Sequence, residues 1–222
     1  MAIILCIDTA GEMAIVGIGN ETEVIAFETN SDQKNHAAFI QPSIKRVLVS
    51  ASLGFNDIDA VTVVNGPGSY TGLRVGLASA KGICYALNKP LITLNTLMVM
   101  ASAAVQRFDD RKAFYCPLID ARRNEVFTAV YDVELQLLLL PQPMILEQNS
   151  FNTFLDEQKM IFFGSGHNKC ETTISHRNAV FEDVSYSIKQ INELAQKAFQ
   201  NGQFAEIAYT EPFYTKDFFS QV

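Results

Sequence analysis

The stretch IILCIDTAGEMAIVGIGNETEVIAFET, residues 3–29, predicts three short strands that follow one another through tight turns. The first strand, residues 2–8, is apolar up to Asp8, and a turn of small residues then reverses the chain. Residues 13–18 return as a second apolar strand, and residues 22–28 alternate between apolar and polar side chains as a third. The chain therefore begins with an antiparallel β-meander.

The same pattern begins again near the middle of the chain. AFYCPLIDARRNEVFTAVYD, residues 113–132, is another apolar strand that ends in Ile-Asp, followed by a polar turn and a returning strand. Asp120 thereby repeats the position of Asp8. Two matching residues also occur by chance, but the repeat of their context predicts a duplicated, two-lobe architecture. We expect a first lobe over residues 1–105 and a second over residues 106–222.

Helical patterns and a glycine-rich turn follow the first meander. Residues 36–51 and 72–87 each show an apolar face at helical spacing, and an apolar strand at 60–64 separates them. Between that strand and the second helix lies NGPGSYTGLRVG, residues 65–76. In the second half, VELQLLLLP at 133–141 is the most hydrophobic run, and we expect it to cross the second lobe.

Composition and charge restrict the classes of function. A net charge of −7 argues against autonomous nucleic-acid binding, since neutralising phosphates needs a clustered basic surface. No apolar run approaches the roughly 20 residues that span a bilayer, and the first residues lack the basic segment of a signal peptide, so a cytoplasmic location is expected. The three histidines and four cysteines are scattered without metal-ligand spacing, and no metal site is expected.

The glycine-rich turn has two interpretations. Backbone N–H groups at the start of a helix suit an anion, which makes Gly66, Gly68, Ser69 and Thr71 candidates for a phosphate loop. The glycine spacing, however, fits neither the dinucleotide fingerprint nor the P-loop, because no lysine follows the last glycine. A tight structural turn, with Ser69 or Thr71 capping the helix, is the simpler interpretation.

The helix after this turn carries small residues at every fourth position, namely Gly72, Gly76, Ala80 and Cys84. Glycine inside a helix costs about 1 kcal/mol relative to alanine, so the glycines need a reason. The expected reason is the close approach of another backbone, either within the fold or across an interface.

The two strand-ending aspartates, Asp8 and Asp120, also have two interpretations. In two-lobed phosphotransferases, carboxylates at such positions orient metal-bound phosphate. Turns favour aspartate for a purely local reason as well, because its side chain bonds the backbone two residues further on. Catalysis would require a second acid, base or nucleophile close by.

Several stretches in their order along the chain resemble the TsaB family of bacterial tRNA threonylcarbamoyladenosine biosynthesis proteins. These are ILCIDTA, HAAFIQPSIKRVL, VNGPGSYTGLRVGLASAKGICYAL, LNTLMVMA and IDARRNEVF, and the tail EPFYTKDF resembles the closing segment of that family. The resemblance is firm as far as IDARRNEVF and loose beyond it. It implies an α/β fold with two lobes of the actin, Hsp70 and sugar-kinase (ASKHA) type, and a role in modifying the adenosine beside the tRNA anticodon.

The resemblance also implies a non-catalytic role within that modification pathway. In that pathway the catalytic paralogue TsaD transfers the threonylcarbamoyl group to tRNA, aided by TsaB and by the small ATPase TsaE. The paralogue carries H-x-x-x-H on its first helix, whereas here His36 is followed at the second position by Ile40. One imidazole cannot hold a catalytic metal that needs about three protein ligands. No catalytic residue and no cofactor of its own is therefore expected, and no protease constellation is visible. ATP is expected only at an interface shared with the complex.

We expect helices 36–51 and 72–87 to offer TsaD a hydrophobic face, and to pair with a second copy as a homodimer when TsaD is absent. The residues expected at this interface are Ile40, Ile44, Val47, Leu48, Gly72, Leu73, Gly76, Leu77 and Ala80. Arg122 and Arg123 are candidates to contact tRNA or a partner, although exposed arginines in a hairpin turn are usually only solvated.

The alternative to a scaffold subunit is an enzyme in its own right. An autonomous ATP-dependent phosphotransferase or ATPase would hold nucleotide with Asp8, Asp120 and the turn at Gly164–Gly166. Nucleotide binding by the isolated chain would distinguish this function from the scaffold.

Overall fold

The computed structural model describes residues 1–32 and 35–214, which form two sheets and six α-helices. The strands are β1 (Ile4–Asp8), β2 (Ala14–Gly19), β3 (Val24–Asn30), β4 (Ala60–Val64), β5 (Leu91–Leu94), β6 (Ala113–Asp120), β7 (Glu125–Tyr131), β8 (Leu137–Ile145), β9 (Lys159–Phe163) and β10 (Ala179–Glu182). The helices are α1 (His36–Ser50), α2 (Tyr70–Leu87), α3 (Thr96–Phe108), α4 (Asn152–Leu155), α5 (His167–Thr173) and α6 (Ile188–Gln200). No helix among the described residues is both long and apolar enough to cross a membrane.

The two sheets have the same topology. The first has the strand order β3-β2-β1-β4-β5, and the second, counted from its other edge, has the order β8-β7-β6-β9-β10. In the first sheet β1 pairs antiparallel with β2 and parallel with β4, and β6 pairs in the same way with β7 and β9. The predicted repeat and the α/β fold class are confirmed. Asp8 and Asp120 end equivalent strands.

The chain divides into two compact units, but not at the expected boundary between residues 105 and 106. The first unit comprises Met1–Thr96 and Ser187–Phe213, and the second comprises Leu97–Tyr186 with Tyr214. Helix α3 belongs to the second unit because its apolar residues pack on the second sheet. Helix α6 belongs to the first unit because it packs on β1, β2 and β5.

The first sheet is covered on one face by α1 and α2, whose apolar residues join those of β1, β2 and β4 in one core. Helix α6 donates hydrogen bonds to the backbone just before β1 and just after β2. The Asn192 amide donates to the carbonyl oxygen of Asn20 (2.9 Å), and the Gln196 amide donates to that of Ala2 (3.2 Å). These buried amides fix α6 on its own sheet.

The segment after α6, as far as residue 214, docks on the first unit. Ala205 donates its N–H to the carbonyl oxygen of Leu91 (2.8 Å), at the edge strand β5. The Lys81 ammonium donates to the carbonyl oxygen of Thr210 (3.0 Å), and the Phe213 N–H donates to that of Asn65 (2.8 Å). The tail therefore reaches the glycine-rich turn, and its continuation from residue 215 lies outside the described residues.

The hydrophobic run at 133–141 was expected to cross the second lobe, and this expectation is wrong. Strand β8 begins at Leu137 and forms the edge of the second sheet, with Leu140 70% exposed. Pro141 and Pro143 leave this strand without backbone N–H donors at two positions. Such positions are typical of an edge strand, because proline cannot donate a hydrogen bond to a neighbouring strand.

Candidate functional site

The glycine-rich turn joins β4 to α2 and is held by backbone contacts of the first unit. Gly66 has φ +124°, a conformation that favours glycine, and its carbonyl oxygen accepts the N–H of Thr96 (2.8 Å). Ser69 is the N-cap of α2, and its hydroxyl accepts the N–H of Gly72 (3.3 Å). The predicted cap is thus Ser69, while Thr71 lies exposed in the first turn of the helix.

The small residues of this region lie against the β1–β2 turn of the same chain. A Cβ at Gly68 would overlap the carbonyl oxygen of Ala10, and a Cβ at Gly72 would overlap that of Thr9. A Cβ at Gly76 would lie 2.5 Å from Thr9 Oγ1. Thr9 Oγ1 donates to the carbonyl oxygen of Gly72 (2.6 Å). The close approach predicted from the glycines is therefore within the fold.

The residues expected at a partner interface lie in the core of the first unit instead. Each of them is buried, and those with side chains face the sheet or its flanking helices. They are Ile40, Ile44, Val47, Leu48, Gly72, Leu73, Gly76, Leu77 and Ala80. The expectation that these residues lie at an interface is wrong, because an apolar stripe at helical spacing marks the inner face of a helix whether or not its outer face binds a partner.

A second small-residue stripe lies on the outer side of α2 and was missed in the sequence. Ala78, Gly82 and Ala86 are all exposed and spaced four residues apart, and a Cβ at Gly82 would meet nothing within 4 Å. Two large apolar side chains are exposed on the same pair of helices, Tyr85 on α2 (83%) and Val49 on α1 (77%). We call these five residues the outer surface of α1 and α2. The four-residue spacing of Ala78, Gly82 and Ala86 is the same as that of the inner stripe and could have predicted this surface.

Asp8, at the end of β1, is completely buried, and its Oδ1 accepts the N–H of Ala10 (2.8 Å). The N–H of Ser69 in turn donates to the carbonyl oxygen of Ala10 (2.8 Å). The structure thus brings Asp8, Gly68 and Ser69 together around one turn. The hydrogen bond of Asp8 to the backbone two residues further on is the one expected of a turn-capping aspartate.

Asp120 belongs to the second unit and carries two donors on one oxygen. Its Oδ1 accepts the N–H of Arg122 (2.7 Å) and an N–H of the Lys169 ammonium (2.6 Å). The Asp120 N–H donates to Ser165 Oγ (3.0 Å), in the turn that contains Gly164 and Gly166. Ser165 lies in the turn at Gly164–Gly166 that the alternative function invoked, whereas Lys169 was not predicted, since it is distant along the chain and belongs to no motif.

The Lys169 ammonium is the main reason that the pKa of the Asp120 carboxyl lies below its ordinary value. Partial burial opposes this lowering, and the Arg122 N–H adds to it. A carboxyl group with a lowered pKa stabilises the fold at pH values above its ordinary pKa, and this contribution is lost as the pH falls through the lowered value.

Replacing Lys169 by methionine is expected to raise the pKa of Asp120 towards its ordinary value, because the largest cause of the lowering is removed. Titration of the Asp120 carboxyl carbon by NMR measures this shift. Lys159→Met is the matched control, since Lys159 is paired with Asp110 at 3.1 Å in the same unit. An unchanged titration of Asp120 in Lys169→Met would contradict the assigned cause.

The burial of His36 and of the four cysteines is typical of structural roles. His36 is buried at the first turn of α1, and Ile40 is completely buried one turn later. Burial raises the pKa of all four thiols, to about 12 for Cys6 and about 11 for Cys84. Among residues 1–32 and 35–214, no three His, Cys, Asp or Glu side chains converge as metal ligands do.

Comparison with known proteins gives the family. A family model described as TsaD, tRNA N6-adenosine threonylcarbamoyltransferase, matches residues 23–210. The tRNA threonylcarbamoyladenosine biosynthesis protein TsaB of Bacillus subtilis is 28% identical over 93% of this chain and 85% of its own length. TsaB of Escherichia coli is 36% identical over 58% of this chain, and that match spans about half (54%) of the relative.

Solved structures agree on the fold. YeaZ from Pseudomonas aeruginosa has a TM-score of 0.83 at 22% identity and covers 96% of this chain and 100% of its own. A protein from the same organism, described as similar to peptidase YeaZ, has a TM-score of 0.86 at 22% identity, with 97% and 100% covered. With a TsaD family model over most of its length and TsaB proteins as its curated relatives, this chain belongs to the TsaB family.

Proposed function

We propose that this chain is a non-catalytic subunit of a complex that forms threonylcarbamoyladenosine on tRNA. On this proposal it binds a TsaD-type transferase through the outer surface of α1 and α2, and supports it together with a TsaE-type ATPase. The proposal rests on this outer surface, because its five residues are exposed and do not pack in the core of the first unit.

The chemistry of the outer surface suits a helical partner. Small side chains at Ala78, Gly82 and Ala86 allow another helix to approach closely, and helix axes commonly pack about 8–10 Å apart. Exposed Tyr85 and Val49 add apolar area on the two helices, and tyrosine is enriched in protein interfaces. In the absence of TsaD, the same surface is expected to pair with a second copy of this chain.

The two strand-ending carboxylates support the absence of catalysis. Asp8 is buried and caps its own turn, and Asp120 accepts a lysine ammonium on the oxygen that also holds the Arg122 N–H. A phosphotransferase needs at least one such carboxylate free to orient a metal ion or a nucleophile. We infer that ATP, which the pathway consumes, is bound by other subunits or at an interface shared with them.

Gel filtration of the purified chain with and without a bacterial TsaD tests the proposal. We expect a single peak that contains both proteins, and a homodimer when TsaD is left out. Isothermal titration of the isolated chain with ATP is expected to give no binding heat. Separate elution of the two proteins, or ATP binding by the isolated chain, would favour the autonomous phosphotransferase instead.

A further inference from the structure

The turn between β6 and β7 places two arginines in a backbone conformation that suits other residues better. Arg122 has φ +70° and Arg123 has φ +49°, both in the left-handed region. Glycine adopts this region without strain, and among the other residues asparagine and aspartate adopt it most readily. The backbone of the turn therefore gives no reason for arginine at either position. Both side chains are exposed.

This turn is anchored on both flanks. On one side the Asp120 carboxylate accepts the Arg122 N–H at 2.7 Å and is itself held by Lys169 at 2.6 Å. On the other side Asn124 donates its amide to the carbonyl oxygen of Leu146 (2.7 Å) and accepts the Leu146 N–H (2.9 Å) on its own carbonyl. The backbone that carries the two guanidinium groups is thus fixed before any ligand arrives.

The duplicated topology supplies an internal comparison. The equivalent turn of the first sheet, between Asp8 and Ala14, contains no basic residue and carries Glu12. None of its residues is left-handed, whereas the second turn has two left-handed arginines. The fold therefore builds this hairpin without arginine, and the cationic turn is specific to the second unit.

We propose that Arg122 and Arg123 contact the phosphodiester backbone of an RNA, and this inference rests on the proposed function in tRNA modification. A guanidinium group presents planar pairs of N–H donors that match phosphate oxygens. Unfavourable backbone conformations concentrate at functional positions, which agrees with a role for these side chains beyond the turn. The chain carries a net charge of −7, so two fixed cations supplement an RNA surface provided mainly by the rest of the complex.

The surroundings of Asp120 favour RNA over a metal-bound nucleotide as the ligand of this turn. A carboxylate that orients the metal of a nucleotide must be open to that metal, but the Lys169 ammonium already lies on Asp120. A phosphodiester needs no metal and can bind to the guanidinium groups directly.

The test is the double variant Arg122→Asn, Arg123→Gly in the complete complex with TsaD and TsaE. Anisotropy of a labelled tRNA anticodon stem-loop, measured over a series of salt concentrations, gives the affinity. We expect binding about tenfold weaker and a log–log salt slope smaller by about one to two, since each phosphate contact contributes about 0.7–0.9 to that slope. The melting temperature of the variant should be equal to or above that of the wild type, because asparagine and glycine adopt positive φ values more readily than arginine.

Arg111→Gln, Lys112→Gln is the matched control, since it removes two exposed charges from a different loop of the same unit. Equal RNA affinity for wild type and the turn variant would overturn the inference, and so would an equal loss in the control. Weakened assembly with TsaD or TsaE at unchanged RNA affinity would assign the turn to an acidic protein surface. Weakened ATP binding alone would assign it to a nucleotide.

Two further measurements separate this inference from the proposed function. Gel filtration of the turn variant with TsaD reports whether the complex forms, so intact assembly with unchanged RNA binding refutes the arginine contact alone. If Arg122→Asn, Arg123→Gly does not fold, then Arg122→Gln, Arg123→Gln removes the same charges with side chains of similar length. The same loss of RNA affinity is expected from it, and unchanged affinity would refute the inference.

Discussion

Replacing Gly82 by leucine is expected to weaken binding to TsaD by about a hundredfold or more, which corresponds to about 2.7 kcal/mol. Gly82 lies in the middle of the outer surface, where a leucine side chain would hold a partner helix away from α2. The fold itself should become slightly more stable, because leucine has a higher helix propensity than glycine by somewhat under 1 kcal/mol. Isothermal titration with TsaD and thermal unfolding measure the two effects separately.

The matched control for Gly82→Leu is Gly54→Leu, in the loop that follows α1. A Cβ at Gly54 would make only an ordinary contact, 3.6 Å from Asp57 Oδ2, and Gly54 is exposed. This control should bind TsaD as the wild type does. Wild-type affinity of Gly82→Leu would show that the outer stripe is not the contact.

Replacing Gly76 by leucine is expected to have the opposite outcome and to destabilise the fold by about 3 kcal/mol or more, in the upper range for overpacked cores. The Cβ alone would lie 2.5 Å from Thr9 Oγ1 and 3.6 Å from Val63 Cγ2, so the rest of the leucine side chain has no space. The midpoint of urea unfolding measures the loss.

Gly82→Leu serves as the control for Gly76→Leu, because it makes the same change on the outer side of the same helix. Two variants of one helix are thus expected to change stability in opposite directions. A Gly76→Leu protein that unfolds at the wild-type urea concentration would contradict the packing of α2 against the β1–β2 turn.

Much of the fold was predictable from local patterns. The meander at residues 3–29, its repeat at 113–132 and the two helices after the first meander follow from the periodicity of apolar residues. Helix α2 begins at Tyr70 rather than residue 72, because Ser69 takes the cap. The unit boundary was not predictable from these patterns. Whether α3 and α6 cover the preceding sheet or the other one depends on tertiary packing, which apolar spacing does not encode.

The candidate site was predictable only in part. The glycines of α2 indicated that another backbone approaches this helix closely. They could not show whether that backbone belongs to a turn of the same chain or to a partner helix, because both require small residues. The pairing of Asp120 with Lys169 joins positions on β6 and α5 that only the parallel pairing of β6 with β9 brings near each other. The left-handed conformation of Arg122 and Arg123 could not be predicted, because glycine and asparagine favour that conformation and arginine does not.

The central claim is that this chain supports a transferase without catalysing the reaction. The most direct measurement is the formation of threonylcarbamoyladenosine on unmodified tRNA, supplied with threonylcarbamoyl-adenylate and ATP, in mixtures that omit one purified protein at a time. We expect product when this chain, TsaD and TsaE are all present, and a strong loss when this chain is omitted. No product is expected from this chain by itself, and its formation there would contradict the account.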